Sequence, residues 1–429
     1  MKIGITPERA GLCAGEEMLH LMVEVECGEV QEAPKGRSNL ALVIDRSGSM
    51  NGGKLEAAKQ SIRELVARLG RGDAVGVIAY DDEVDITLGL SQAEVARTVL
   101  PPLLEQMETG GSTNLHGGWL AGAGMLAPSA GADSACHVVL LSDGQANQGV
   151  TSSRQICEQV ANLCNAGITT TTIGFGRDFN EQLMTDMAKA GNGRALYGER
   201  IEDLADAFDE EISLLGNLVW RDVVLHIEGE LRPRVLNGYT RHREGFRLPA
   251  LARGGSGWAM LEIPMATAIR AAERGEDLRL QVTGVDGTGQ RQTFELAWAW
   301  PEVVSREVWH SLPVDERLRR RLQELELARL QRDIRRAVMQ GEWDRAHEMF
   351  DALRARAETD PWLAESLPFL EGLLREQDSL RMSKELAFRS DSLSTRMRAA
   401  HEVAYCALVE ADAPAYLRRK TSEWRSRRG

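Results

Sequence analysis

The chain has 429 residues, 43% of them hydrophobic, with acidic and basic residues interspersed. It is too long for one hydrophobic core and too apolar for a disordered protein, so two or three domains are expected. The formal net charge of −13 excludes a general nucleic-acid binder, because such proteins gain affinity by neutralising phosphates with cations.

Lys2, Glu8, Arg9 and Glu16 interrupt the N-terminus, leaving no continuous apolar core for a signal peptide. No run approaches the roughly 18 apolar residues of a membrane helix. The expected location is the cytoplasm. Cys13, Cys27, Cys136, Cys157, Cys164 and Cys406 form no Cys-x-x-Cys pair and no zinc spacing. They read as small hydrophobes in a reducing compartment.

Residues 19 to 27 alternate, with Leu19, Leu21, Val23, Val25 and Cys27 facing one way and His20, Glu24 and Glu26 the other. This predicts a half-buried strand. Residues 40 to 44 are instead apolar without interruption, as in a strand buried on both faces of a parallel sheet. Leu55, Ala58, Ile62, Leu65, Val66 and Leu69 then follow at helical spacing. Apolar runs recur at 75–80 and 137–141, and Ile168 to Ile173 reads as a further strand. Predicted helices lie near 91–100, 115–126, 153–165, 180–190 and 201–215, and a strand at 84–88 follows a tight acidic turn and pairs antiparallel. Strands alternating with helices over this length predict a doubly wound α/β domain.

After Gly216 the pattern becomes half-polar. Val223/Leu225/Ile227, Trp258/Met260, Leu278/Leu280/Val282 and Phe294/Leu296/Trp298 alternate with polar neighbours, which predicts an antiparallel β-sandwich. The early strand at 19–27 has the same character and is expected to join it. From about Ser305 the chain is rich in Arg, Glu, Leu and Ala and reads as helical. The expected boundaries are thus 1–37 (strands joining the sandwich), 38–216 (α/β domain), 217–303 (β-sandwich) and 304–429 (all-helical region). The basic tail at Arg418, Arg419, Lys420, Arg425, Arg427 and Arg428 reads as a solvated face.

The chemistry sits in three segments. The first buried strand ends in Asp45-Arg46-Ser47-Gly48-Ser49-Met50. Downstream lies the loop Gly110-Gly111-Ser112-Thr113-Asn114, and a later strand ends in Leu141-Ser142-Asp143-Gly144. All three follow buried elements and can meet at the crevice where a doubly wound sheet binds ligands. Asp45 and Asp143 offer carboxylates; Ser47, Ser49 and Thr113 offer neutral hydroxyl oxygens. Hard divalent cations favour such all-oxygen sets. Two carboxylates leave the cation electrophilic, so an open position would attract an anionic oxygen from outside.

These segments resemble the metal-ion-dependent adhesion site of the von Willebrand factor A (vWA) family, whose pattern is matched at Asp45, Ser47, Ser49, Thr113 and Asp143. The resemblance covers about residues 38–215. It implies Mg2+ (with Mn2+ or Ca2+ as substitutes) held by the two serines directly, by the threonine directly or through water, and by the aspartates largely through water. It further implies a protein partner supplying an Asp or Glu carboxylate. The Ala/Arg/Gly-rich composition points to a bacterial source, and bacterial cytosolic proteins of this look often partner MoxR-type AAA+ ATPases or sit in stress and signalling systems.

An enzyme is not expected. Asp45 lacks the second aspartate of a phosphoaspartate hydrolase, no Gly-x-Ser-x-Gly surrounds a serine, and no phosphate-binding Gly-x-x-x-x-Gly-Lys-Ser/Thr loop is present. His116 and His137 read as ordinary surface or core residues. Two functions remain: a metal-dependent binding module or adaptor, and a structural scaffold whose metal site is idle.

Overall fold

The computed structural model describes residues 1–395 apart from 29–36, 132–133, 199–202, 205–206, 209–210, 212–216, 230, 243–244 and 359. The basic tail and Cys406 therefore lie outside the described residues. The chain forms two compact units. One gathers residues of 1–36 and 217–327 with 393–395, and the other those of 37–216 and 328–392. Among the described residues no helix is long and apolar enough to cross a membrane.

In the second unit a six-stranded sheet is built from β3 (Arg37–Asp45), β4 (Ala74–Tyr80), β5 (Val84–Gln92), β6 (Ser134–Ser142), β7 (Ile168–Phe175) and β8 (Asn192–Gly198), which follow in the chain the strands β1 (Lys2–Pro7) and β2 (Met18–Glu26) of the first unit. Their spatial order is β5-β4-β3-β6-β7-β8. All pairings are parallel except that of the edge strand β5, which runs antiparallel to β4. The uninterrupted apolar runs follow from this. Residues Leu40 to Ile44 are buried on both faces: Leu40, Leu42 and Ile44 pack with α1 (Lys54–Arg68) and α2 (Ala93–Glu105), and Ala41 and Val43 with α3 (Leu115–Leu126).

Polar punctuation sets the helix starts. Asn114 caps α3 by accepting from the Gly117 amide, and after α4 (Ser153–Asn165) Asn180 caps α5 (Glu181–Ala190) by accepting from the Leu183 amide, each worth about 1 kcal/mol. The sequence ends the helix after β5 near residue 100, yet α2 continues through Pro101 and Pro102 to Glu105. Leu100 and Leu104 are both buried, so packing outweighs the lost backbone bonds. Of the helix expected over 201–215, residues 203–204, 207–208 and 211 are helical, and the others lie outside the described residues.

The first unit holds two antiparallel sheets. In one, β1 (Lys2–Pro7) and β2 (Met18–Glu26) pair with each other, and β2 pairs along its length with the distant strand Ser256–Pro264. The other is centred on Leu218–Ile227, Leu278–Val285 and Arg291–Trp298. Leu21, Val23 and Val25 from the first sheet and Val223, Leu225, Leu280 and Val282 from the second bury a common core. A helix at Met265–Glu273, for which the alternating pattern gave no sign, packs Met265 and Ala268 against that core. The helical segment expected to begin at 304 contributes to both units. The 24-residue helix Glu316–Met339 is divided between them after Leu327. No Gly or Pro interrupts it, so the sequence gives no mark at which to place such a division.

Candidate functional site

The three loops singled out in the sequence lie together at the carboxyl ends of β3 and β6. Backbone hydrogen bonds fasten the first to the second: the Gly48 amide donates to the Gly111 carbonyl at 3.0 Å, and the Gly110 amide to the Arg46 carbonyl at 2.7 Å. Asn147, just beyond the third segment, clamps Thr113 from both sides. Its side-chain oxygen accepts from the Thr113 amide at 2.8 Å, and its own amide donates to the Thr113 carbonyl at 3.2 Å. The β4–β5 turn closes the edge, where the Asn114 amide donates to the Asp81 carbonyl at 2.7 Å and Arg46 pairs with Asp81 at 3.2 Å.

Asp45 and Asp143 are fully buried, Ser47 and Thr113 nearly so, and Ser49 is exposed. Asp45 accepts from the Ser47 amide at 2.8 Å and from the Ser142 hydroxyl at 2.7 Å. The Ser47 and Ser49 hydroxyls are 3.0 Å apart, and Ser49 donates to Asp143 Oδ1 at 2.6 Å. Thr113 is brought in through Gly144: a Cβ there would lie 3.1 Å from Thr113 Oγ1 and 3.4 Å from Ser49 Oγ. The five residues named from sequence are thus assembled in one place. Ser142, Asn147, Tyr80 (whose hydroxyl lies 3.5 Å from Asp45) and Lys54 were not named. Only Ser142, beside Asp143 at the strand end, carried a sequence signal.

This donor set fits a hard divalent cation. It offers two carboxylates and three hydroxyls, with a gap that only glycine leaves open, and no soft ligand. Among the described residues no group of three or more His, Cys, Asp and Glu side chains is placed to hold a metal ion; a cation here would rest on mixed carboxylate and hydroxyl oxygen.

Burial pushes the Asp45 carboxyl above its ordinary value of 3.8, and the charge of Asp143 adds to this; hydrogen bonds from Ser47 and Ser142 oppose it only in part. A raised folded-state value means that the folded chain binds the proton more tightly than the unfolded one. In chelator, Asp45 therefore contributes stability that is present below about its ordinary value and is lost as pH rises through the raised one. Thermal melts of wild type and Asp45→Asn should diverge across that interval, the wild type losing ground as pH rises. Parallel profiles would contradict the assignment.

His116 and His137 take no part. His116 bonds Gln159 at 2.9 Å. His137 is buried 2.9 Å from Glu211, which also accepts from Thr171 at 2.7 Å. Burial pushes the Glu211 carboxyl up, but the hydrogen bond and charge of His137, the charge of Arg194 and the bond from Thr171 together hold it below the ordinary range.

A doubly wound sheet with one antiparallel edge strand carries Asp-x-Ser-x-Ser, Thr and Asp-Gly loops at its carboxyl end. Residues 39–210 match the family model for the von Willebrand factor type A domain. The chain is 28% identical over 220 residues to inter-alpha-trypsin inhibitor heavy chain H1 of Sus scrofa, covering 50% of this chain and 24% of that protein. It is 26% identical over 225 residues to the uncharacterized protein YfbK of Escherichia coli (strain K12), covering 50% of this chain and 37% of that one. The chain thus spans about a quarter of the length of the heavy-chain relative and little more than a third of the bacterial one. A solved von Willebrand factor type A protein from Catenulispora acidiphila shares the fold, with a TM-score of 0.68, 16% identity, and coverage of 93% of this chain and 97% of that one.

Proposed function

We propose that this protein is a metal-dependent interaction module or adaptor. Asp45, Ser47, Ser49, Thr113 and Asp143 hold a Mg2+ ion, with Mn2+ or Ca2+ able to replace it, and a protein partner supplies an Asp or Glu carboxylate to it. The observation that carries this reading is the convergence of two buried carboxylates and three hydroxyls from three loops locked together by backbone hydrogen bonds. Bound there, the ion would supply a Lewis-acidic position for an anionic oxygen. The chain's own groups orient the donors and exclude water behind them. We read the setting as a larger cytoplasmic assembly, in which a MoxR-type AAA+ ATPase is a candidate partner, and the two antiparallel sheets of the first unit as a β-sandwich followed by a helical region.

No catalysis is proposed for the chain itself. The buried carboxylates are engaged by hydroxyl, amide and ammonium donors rather than poised beside a nucleophile. The half-buried Cys157 thiol, pushed by burial up to about 11, is a poor one. A second reading, a scaffold with an idle site, draws support from the ion pair between Lys54 and Asp143, which satisfies the carboxylate without a metal. The two are separated by pull-down from native host extract with and without EDTA. An adaptor releases its partner into chelator and fails to capture it as Asp45→Ala. Capture unaffected by either change would leave the scaffold. Calorimetry of the purified chain should show one Mn2+ or Mg2+ bound, absent in Asp45→Ala.

A further inference from the structure

Lys54 is the first residue of α1, preceded by the left-handed Gly53 with φ of 94°. A cation is badly placed there, since a helix N-terminus carries partial positive charge and favours acids in its first turn. Lys54 does not project into solvent to escape this field. Its side chain is 27% exposed and its Nζ lies 2.5 Å from Oδ2 of the fully buried Asp143. Gly176, at the end of β7 with φ of 80°, lines the path: a Cβ there would come within 3.4 Å of that Nζ. Ser49 already holds the other oxygen, Oδ1, at 2.6 Å. Both oxygens of Asp143 are therefore taken by donors of this chain.

We infer that Lys54 is a tethered counter-cation of the metal site, which holds the Asp143 carboxylate and lowers the affinity of the site for a divalent ion. This rests on the metal-binding reading above and deepens it. A divalent ion drawing on Asp143 must share the carboxylate with a fixed positive charge or displace it, and either costs binding free energy. The same ammonium removes the penalty of a buried, unpaired carboxylate in the chain without an ion. The site is thereby set to respond to changes in ion concentration, or to a partner that adds a carboxylate, instead of binding its ion permanently.

The test uses the full chain with Mn2+ as the probe, in wild type, Lys54→Met and Lys54→Arg. In chelator, Lys54→Met should melt at lower temperature than wild type, because Asp143 loses its counter-charge. Titrated calorimetrically, Lys54→Met should bind Mn2+ at least about tenfold more tightly than wild type, and Lys54→Arg should stay near wild type. Saturating Mn2+ should restore the melting temperature of Lys54→Met to that of wild type. Binding by wild type with equal or weaker binding by Lys54→Met overturns the inference and leaves the metal reading standing. Failure of wild type and Lys54→Met alike to bind overturns both. An unchanged melting temperature of Lys54→Met in chelator overturns the counter-cation role by itself.

Discussion

Gly144→Val is expected to abolish divalent-ion binding in a domain that still folds. Gly144 follows the buried ligand candidate Asp143, and its missing side chain is what lets two other donors approach. A Cβ there already crowds Thr113 Oγ1 at 3.1 Å and Ser49 Oγ at 3.4 Å, and the γ-methyls of valine would extend into the space those hydroxyls share. Gly144 is not among the positive-φ residues, so valine adds bulk without backbone strain. Overpacking costs about 1–3 kcal/mol, a loss an ordinary domain survives. Mn2+ affinity should fall at least about a hundredfold, roughly 2.8 kcal/mol, while the circular dichroism spectrum stays that of wild type. The comparison is cleaner than Asp45→Ala, which removes a donor and also strands the Ser47 amide and the Ser142 hydroxyl that Asp45 holds. Retention of wild-type affinity in a folded Gly144→Val protein would show that the cation does not use Thr113 and Ser49.

The parts of this site that were legible in the sequence share one property. Asp45 and Asp143 each end an apolar run without a polar face, and such runs read as central parallel strands whose carboxyl ends line a crevice. Their position follows from local pattern alone. Lys54 was hidden, because nothing in Gly52-Gly53-Lys54 says that the side chain turns back to Asp143, 89 residues away. Asn147 was hidden for the same reason: its bonds to Thr113 depend on how two loops fold against each other. The helix at Met265–Glu273 interrupts a region whose strands alternate well, and the Glu211–His137 pair joins a helix to a central strand across 74 positions. Periodicity reports which face of an element is buried and is silent about its partner. The division of the helical segment after Leu327 was out of reach on the same account, since it depends on which distant residues each turn meets.

Glu181→Ala is expected to have the largest effect on stability of any single change considered, through such a distant partner. Glu181 opens α5, where a carboxylate suits the helix N-terminus. One of its oxygens accepts from Ser383 at 2.5 Å and lies 3.3 Å from Arg335; the other accepts from Lys384 at 3.0 Å. Burial pushes its carboxyl up, and the bonds from Ser383 and Lys384 with the lysine charge overcome this, holding it below the ordinary 4.5. Lys384 is 2% exposed; besides Glu181 its ammonium meets the Phe179 carbonyl at 2.8 Å and the Phe179 ring, whose centroid is 4.2 Å away. Removing the carboxylate strands a buried ammonium on one neutral acceptor and a ring, a loss of about 3–5 kcal/mol for a broken buried pair. Lys384→Met should cost less, because Glu181 keeps Ser383 and Arg335. The double variant Glu181→Ala/Lys384→Met should recover much of the loss, since an apolar replacement of both partners leaves nothing charged behind. Linkage adds a second signature. A depressed folded-state value contributes stability present above the ordinary 4.5 and lost as pH falls through the lowered value, so wild type and Glu181→Ala should converge under acid. Chemical denaturation of the three variants across pH decides it. A Glu181→Ala protein within about 1 kcal/mol of wild type at neutral pH, or a double variant no more stable than Glu181→Ala, would mean that the pair is not what fastens residues 379–392 to α5.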